Sequence, residues 1–182
     1  LDIPLQHGST KVLKAMRRGT TREKTTQLIH DIRSIIPNIA IRTTLIAGYP
    51  GESKEDFQEM YDWVEEMKFE RLGIFTYSHE EDTSAYLLED ILSAEEKESR
   101  AQEIIEFQQE ISFEKNQAFV GNVYKVLVDK KEAGRYIGRT EFDSVEVDNE
   151  VIIQSNKKLT IGEFVNVKIN KAFDYDLEGT VV

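Results

Sequence analysis

Three sets of polar residues follow three apolar runs, and their residue types suit the binding of a small polar ligand. Gln6, His7 and Ser9 follow residues 2–5, Gly48, Gly51 and Glu52 follow a run that ends at Ile46, and Tyr77, Ser78 and His79 close residues 71–77. A glutamine side chain offers two donors and an acceptor, and a serine hydroxyl both donates and accepts. Such groups suit a ribose or an amino-acid head group. Loop-end side chains that satisfy their own backbone account for them equally well. Glycines at 48 and 51 let backbone approach a flat ligand and permit positive φ. Their spacing is not the GxGxxG dinucleotide fingerprint, and no Gly-Lys-Ser/Thr makes a phosphate loop. A plain strand-to-helix turn fits almost as well.

Other charged groups carry weaker signals. Arg17 and Arg18 can hold a carboxylate in bidentate fashion; an exposed basic helix end is the simpler reading. Arg42 interrupts an apolar strand and needs a partner, from protein or ligand. His79 with Glu80, Glu81 and Asp82 offers loose divalent-ion spacing or paired carboxylates for acid–base work. A solvated acidic loop is the commoner arrangement, so no metal ligand and no catalytic group is assigned. His30 lies on a helix and is expected to be exposed.

These sets can work together only if the apolar runs are neighbouring parallel strands, whose C-terminal ends converge on one site. Periodicity supports that order. Residues 2–5 read as a strand, 9–16 as a short helix, and a helix capped by Thr20 and Glu23 reaches about residue 36. Its expected buried stripe is Leu28, Ile29, Ile32, Ile35 and Ile36. A strand at 39–46 leads to a helix capped by Ser53 and Asp56, with Phe57, Met60, Tyr61, Val64 and Met67 inward. Residues 71–77 form the third strand. After a loop at 84–92, Ser93 and Glu96 start a long helix to about residue 116, expected to bury Ala101, Ile104, Ile105, part of Phe107, Ile111 and Phe119. Strand–helix alternation of this kind predicts a parallel sheet with helices outside.

From Gly121 the period becomes alternating. Strand candidates at 123–129, 136–139, 150–154, 164–172 and 179–182, broken by Gly and Asn turns, predict a small closed barrel. The expected fold is therefore α/β, followed by a small antiparallel OB-like β-barrel, with the domain boundary at 119/120. The acidic stretch 141–149 weighs against a generic grip on RNA.

Composition narrows the function further. The 182 residues carry a formal net charge of −11, of which 1–119 supply −9 and 120–182 supply −2. Strong non-specific nucleic-acid binding needs a basic face, and only a local patch around Lys130, Lys131 and Arg135 offers one. Cysteine is absent, so these residues supply no disulfide, thiolate nucleophile or thiolate-held metal. No apolar run reaches the ~20 residues of a membrane span, and no signal peptide opens the chain. A cytoplasmic protein is expected. The opening at a strand end suggests that a preceding part is missing.

Several stretches together carry a resemblance: DIPLQHGS at 2–9, MRRGTTRE at 16–23, RTTLIAGYPGE at 42–52, FTYSHEEDT at 75–83, YIGRTEFDSVEVDNEV at 136–151 and AFDYDLEG at 172–179. They resemble the methylthiotransferase branch of the radical S-adenosylmethionine enzymes, and within it the members that modify an aspartate of a ribosomal protein. The resemblance implies the C-terminal half of a partial parallel (β/α) barrel at 1–119 and a TRAM domain at 120–182. It implies S-adenosylmethionine as cofactor, with Gln6, Ser9, Arg17, Ile46, Gly48 and Tyr77 as its contacts and Ser78 near the nucleoside. It further implies two 4Fe–4S clusters ligated outside this chain, so that the segment alone is inactive. The implied reaction adds a methylthio group to the β-carbon of an aspartate in a small-subunit ribosomal protein. An external electron donor is required, the TRAM domain contacts the substrate protein, and RNA contact is secondary. Two rivals differ in class: methylthiolation of adenosine in tRNA, and a non-catalytic module for ribosomal protein or RNA. Ser84, where a proline is familiar, and Asp90-Ile91-Leu92 depart from the family pattern.

Overall fold

The computed structural model describes residues 1–145 and 147–182. The chain divides into two compact units, Leu1–Gln108 and Gln109–Val182.

In the first unit, β1 (Arg42–Ala47) and β2 (Arg71–Thr76) pair in parallel, from Arg42 opposite Arg71 to Ala47 opposite Thr76. Residues 1–6 run alongside β1 in the same direction. Ile3 N–H donates to Arg42 O, Gln6 N–H to Thr44 O, and Ile46 N–H to Gln6 O. This segment makes only two bridges, at Asp2 and Gln6, so the strand expected at residues 2–5 is not a continuous one. Pro4 has no N–H to give to a ladder. Leu5 N–H is diverted to the Thr43 hydroxyl, and Gln6 takes a positive φ of 75°. Arg42, which needed a partner, finds one in Asp2 at 3.4 Å.

Helices α1 (Thr10–Ala15), α2 (Arg22–Ile35), α3 (Lys54–Met67) and α4 (Ala94–Gln117) follow the expected order. Ser53 and Asp56 form the predicted capping box on α3, and Ser93 Oγ accepts from Glu96 N–H at α4. The cap of α2 is Thr21, not Thr20: its hydroxyl accepts from Lys24 N–H, while Thr20 turns to Thr25. The buried stripe of α2 also differs from expectation. Ile29 is buried, but Leu28, Ile35 and Ile36 are exposed. Polar groups decide the rotation. Arg22 pairs with Glu66, Thr26 accepts from the Trp63 indole, and Arg33 donates to Met67 O and Glu70. Arg22, Thr26 and Arg33 stand four and seven positions apart, so with the buried Ile29 they share one helix face. On α3, Met60, Trp63, Val64 and Met67 are fully buried. Gly8 lies against this helix, and a Cβ there would stand 2.7 Å from Met60 Cα.

The second unit contains a closed barrel in the order β3-β4-β5-β7-β6. Its strands are β3 (Val123–Glu132), β4 (Arg135–Arg139), β5 (Val151–Gln154), β6 (Phe164–Ala172) and β7 (Leu177–Val181). The expected wholly antiparallel barrel needs correction, because β5 and β7 pair in parallel. The final strand joins β5 on one side and β6 on the other, and closure requires that order. Alternate residues point inward, so Val126, Val128, Val151, Ile153, Val167 and Ile169 form the core. A register shift between Val128 and Lys130 bulges β3 at Asp129, bending the strand as closure needs. Glu146, part of the expected acidic loop, lies outside the described residues. Lys130 is paired with Glu150 and Glu132, and Lys131 lies over the Tyr136 ring. The basic patch read at 130–135 is therefore partly neutralised.

Candidate functional site

The C-terminal ends of the three extended segments are neighbours in the first unit. Gln6 O accepts from Ile46 N–H at 2.8 Å, and Ala47 O accepts from Tyr77 N–H at 2.8 Å. Gln6, Ile46 and Tyr77, each singled out by sequence, thus share one edge of the sheet. Ile46 lies on the face of β1 opposite Leu45 and is half-buried, and its parallel partner Phe75 is 65% exposed. This gives an open apolar surface beside polar strand ends.

Gly48 takes φ +77°, and a Cβ on it would stand 2.3 Å from Lys97 Cγ. The space over this glycine is therefore filled by a lysine stem. Lys97 is buried, pairs with Asp90 at 2.5 Å, and sets its ammonium over the Tyr77 ring at 5.1 Å. Tyr77 packs edge-on against Tyr49 at 5.4 Å and reaches His79 Nδ1 through its hydroxyl at 3.4 Å. Burial, then the nearby Asp90 carboxylate, pushes the Tyr77 phenol up. Burial does the same for Tyr49, and the Arg17 charge opposes it. The Tyr49 hydroxyl donates to Ala15 O at 3.1 Å, two residues before Arg17, so the chain at Arg17 lies near Tyr49. Arg17 is exposed, with φ 57°.

Ser9 occupies a different environment. It is wholly buried, donates its hydroxyl to Asp56 Oδ1 at 2.9 Å and its N–H to His7 Nδ1. His7 Nε2 meets Glu52 Oε2 at 3.2 Å, with both side chains closed to solvent. Glu52 also accepts from Arg100 at 2.6 Å and from the N–H groups of Gly48 and Tyr49. Burial opposes the charge of Glu52, but donors from His7 and Arg100 outweigh it and hold the carboxyl below the ordinary range. This ion cluster ties the segment after residue 6, the glycine loop and α4 into one rigid support.

Sequence reasoning missed Glu52, Lys97 and Arg100 as parts of the support. A signal was present. Lys97 and Arg100 extend the buried α4 stripe of Ala101, Ile104 and Gln108 at helical spacing. Charged residues on an apolar stripe must be paired. Among the described residues, no group of three or more His, Asp or Glu side chains is arranged to hold a metal ion.

The model of the Radical SAM superfamily matches residues 1–64, and that of the TRAM domain matches residues 120–182. The chain is 56% identical over 98% of its length to ribosomal protein uS12 methylthiotransferase RimO of Flavobacterium johnsoniae. It is 57% identical over 98% to the protein of that name from Christiangramia forsetii. By these matches the chain resembles the radical SAM methylthiotransferases.

The chain spans about two fifths of the length of these curated relatives, 41% and 40%. In structure, 61% of the chain matches 26% of coproporphyrinogen III oxidase (HemN) from Escherichia coli, described as a radical SAM enzyme, with TM-score 0.52 and 25% identity. The match to the Radical SAM superfamily and the likeness to these relatives imply S-adenosylmethionine and iron–sulfur chemistry. This segment contains no cysteine, so none of its residues fits a thiolate-held cluster. The strand ends do fit an adenosyl compound in kind: an open apolar face at Ile46 and Phe75, an amide at Gln6, and an exposed cation at Arg17 beside the tyrosines.

Proposed function

We propose that the full protein containing this chain is a methylthiotransferase that modifies the β-carbon of an aspartate in ribosomal protein uS12. The single observation that carries this reading is the 56% identity over 98% of the chain to a uS12 methylthiotransferase. S-adenosylmethionine, when bound with its clusters, supplies methyl transfer and radical chemistry. The residues of this chain bind and orient it. Gln6 contacts its polar part, Arg17 pairs with its carboxylate, and the strand end at Ile46 and Gly48 packs near the flat base. Tyr77 borders the nucleoside. Ser9 acts at one remove, by fixing Asp56 and the first turn of α3. A fixed donor and a dry contact between radical source and target carbon are what such chemistry asks of a protein.

Residues 1–119 are the C-terminal half of a partial parallel (β/α) barrel, and residues 120–182 form the TRAM domain. Both 4Fe–4S clusters are ligated by parts of the protein outside this chain, so the segment alone is inactive. An external electron donor is needed. The TRAM domain contacts the substrate protein in the cytoplasm. The formal charge of −2 on residues 120–182 supports a protein target over tRNA, since RNA binding draws its affinity from cations. Mass analysis of uS12 and of tRNA after incubation with the reconstituted full-length enzyme tests this. A methylthio-aspartate in uS12 supports the reading, and modification of tRNA alone overturns it.

A further inference from the structure

Residues 72–96 contain seven carboxylates and no lysine or arginine. They leave β2 at the edge shared by Gln6 and Ile46, then pass through a loop that exposes apolar side chains. Leu87 is 87% exposed and Ile91 70%, with Tyr86 and Leu88 also exposed. An apolar strip rimmed by charge marks an interaction surface.

The loop is held in place on both sides of these residues. Ala85 is buried against Val12 and Tyr49. Tyr86 N–H donates to Thr83 O, and Leu88 N–H to Ala85 O. The His79 ring lies 4.7 Å from that of Tyr86. Farther along, Asp90 is fixed by Lys97. The second carboxylate oxygen of Asp90 is shut from solvent without a donor. Anchors at 85 and 90 hold a loop in which Leu87 and Ile91 are exposed, with Glu80, Glu81 and Asp82 before them in the chain and Glu89 between them.

We propose that residues 79–91 are a docking surface for a basic peptide segment carrying an apolar side chain. Charge complementarity selects the occupant: Glu80, Glu81, Asp82 and Glu89, in a stretch without lysine or arginine, attract lysine and arginine and repel phosphate. The apolar strip supplies contact area that charge alone does not. This inference rests on the proposed function, because a basic segment of the substrate protein seated here brings its aspartate to the strand ends. It assigns substrate recognition to the first unit in addition to the TRAM domain.

The test uses the full-length protein and purified uS12. The pair Leu87→Ser/Ile91→Ser weakens uS12 binding about tenfold or more and leaves binding of S-adenosylhomocysteine unchanged. Glu80→Gln/Glu81→Gln/Asp82→Asn slows association roughly tenfold at low salt and flattens its salt dependence. Equal uS12 affinity in both variants overturns the docking surface while leaving the proposed function standing. Before uS12 is added, amide-exchange protection of Leu87 and Ile91, beyond the Tyr86 and Leu88 amides already bonded within the loop, also overturns it, because another part of the protein or a second copy then covers the strip. Binding of tRNA and not uS12 by the wild-type protein overturns the proposed function and this partner together.

Discussion

His7 donates its Nε2 proton to Glu52 Oε2 across 3.2 Å in a site closed to solvent. The tautomer follows from the other ring nitrogen, since Nδ1 accepts from Ser9 N–H at 2.9 Å. Glu52 therefore sits between the imidazole and the Arg100 guanidinium, which meets it at 2.6 Å. Two segments 45 positions apart in sequence are joined by one carboxylate.

Glu52→Gln tests that junction. The substitution keeps an acceptor for Gly48 and Tyr49 N–H but removes the charge facing a buried Arg100. Breaking a buried pair costs about 3–5 kcal/mol, and a lower urea midpoint with unchanged slope is the expected result. The pH dependence has a definite sign. The carboxyl is held below its usual value of 4.5, so its stabilisation is in place above that value and is lost as pH falls through the lowered one. An unchanged midpoint for Glu52→Gln shows that the pair carries no net stability.

Asp56 gives a second, separable acid transition. Burial opposes its charge, yet donors from Lys11, Ser53 and Ser9 bring its pKa from 3.8 down to about 2. The stabilisation from this depressed group is complete above the unfolded value and disappears as pH falls toward 2. Its size is about 2 kcal/mol. Unfolding free energies measured from pH 5 to pH 2 show this slope in the wild type. Asp56→Asn lacks that share of it, and an identical slope in the variant counts against the assignment.

The order of the elements was legible because apolar periodicity switched between helical and alternating periods at recognisable breaks. Ser53 and Asp56 read correctly as a cap because their partners lie within one turn. Thr20 and Glu23 misled, since Thr21 offers the same chemistry one residue later and the distant contacts of α2 decided the frame. The exposed Leu28, Ile35 and Ile36 could not be foreseen, because Trp63, Glu66 and Glu70 that orient α2 lie some forty positions away. Gln6, Ile46 and Tyr77 could be placed at one sheet edge from sequence because strand ends converge by topology. Ser9 was read with them from its residue type, but its hydroxyl is spent on Asp56. Parallel pairing of β5 with β7 leaves no local mark, since no short turn connects them.

Gly48→Ala is expected to act through two separable effects. A left-handed conformation costs an L-residue about 1–2 kcal/mol, and the new methyl meets Lys97 Cγ at 2.3 Å. Placing Gly48→Ala in a Lys97→Ala background removes the Cγ and Cδ contacts and leaves only the Cβ of residue 97, at 3.0 Å. Denaturation of the four proteins in this cycle is expected to give a smaller loss in the Lys97→Ala background, with the left-handed share remaining. Equal losses in both backgrounds mean that the lysine stem does not fill the space over the glycine.

Arg17 and Ser9 are opposite kinds of residue, although both were read as ligand contacts. Arg17 is exposed, so Arg17→Leu changes folding stability by no more than about 0.5 kcal/mol. It removes a charge-assisted bond to the ligand carboxylate, and such bonds contribute about 1.5–3 kcal/mol. Affinity of the full-length protein for S-adenosylhomocysteine therefore falls about tenfold or more. Ser9→Ala leaves Asp56 without one of its buried donors and lowers stability by about 1–2 kcal/mol, with a much smaller effect on affinity. Calorimetric titration and urea denaturation of both variants separate the roles. If Arg17→Leu binds S-adenosylhomocysteine as tightly as the wild type, the carboxylate is held elsewhere, and the exposed cation beside Tyr49 has no part in the site.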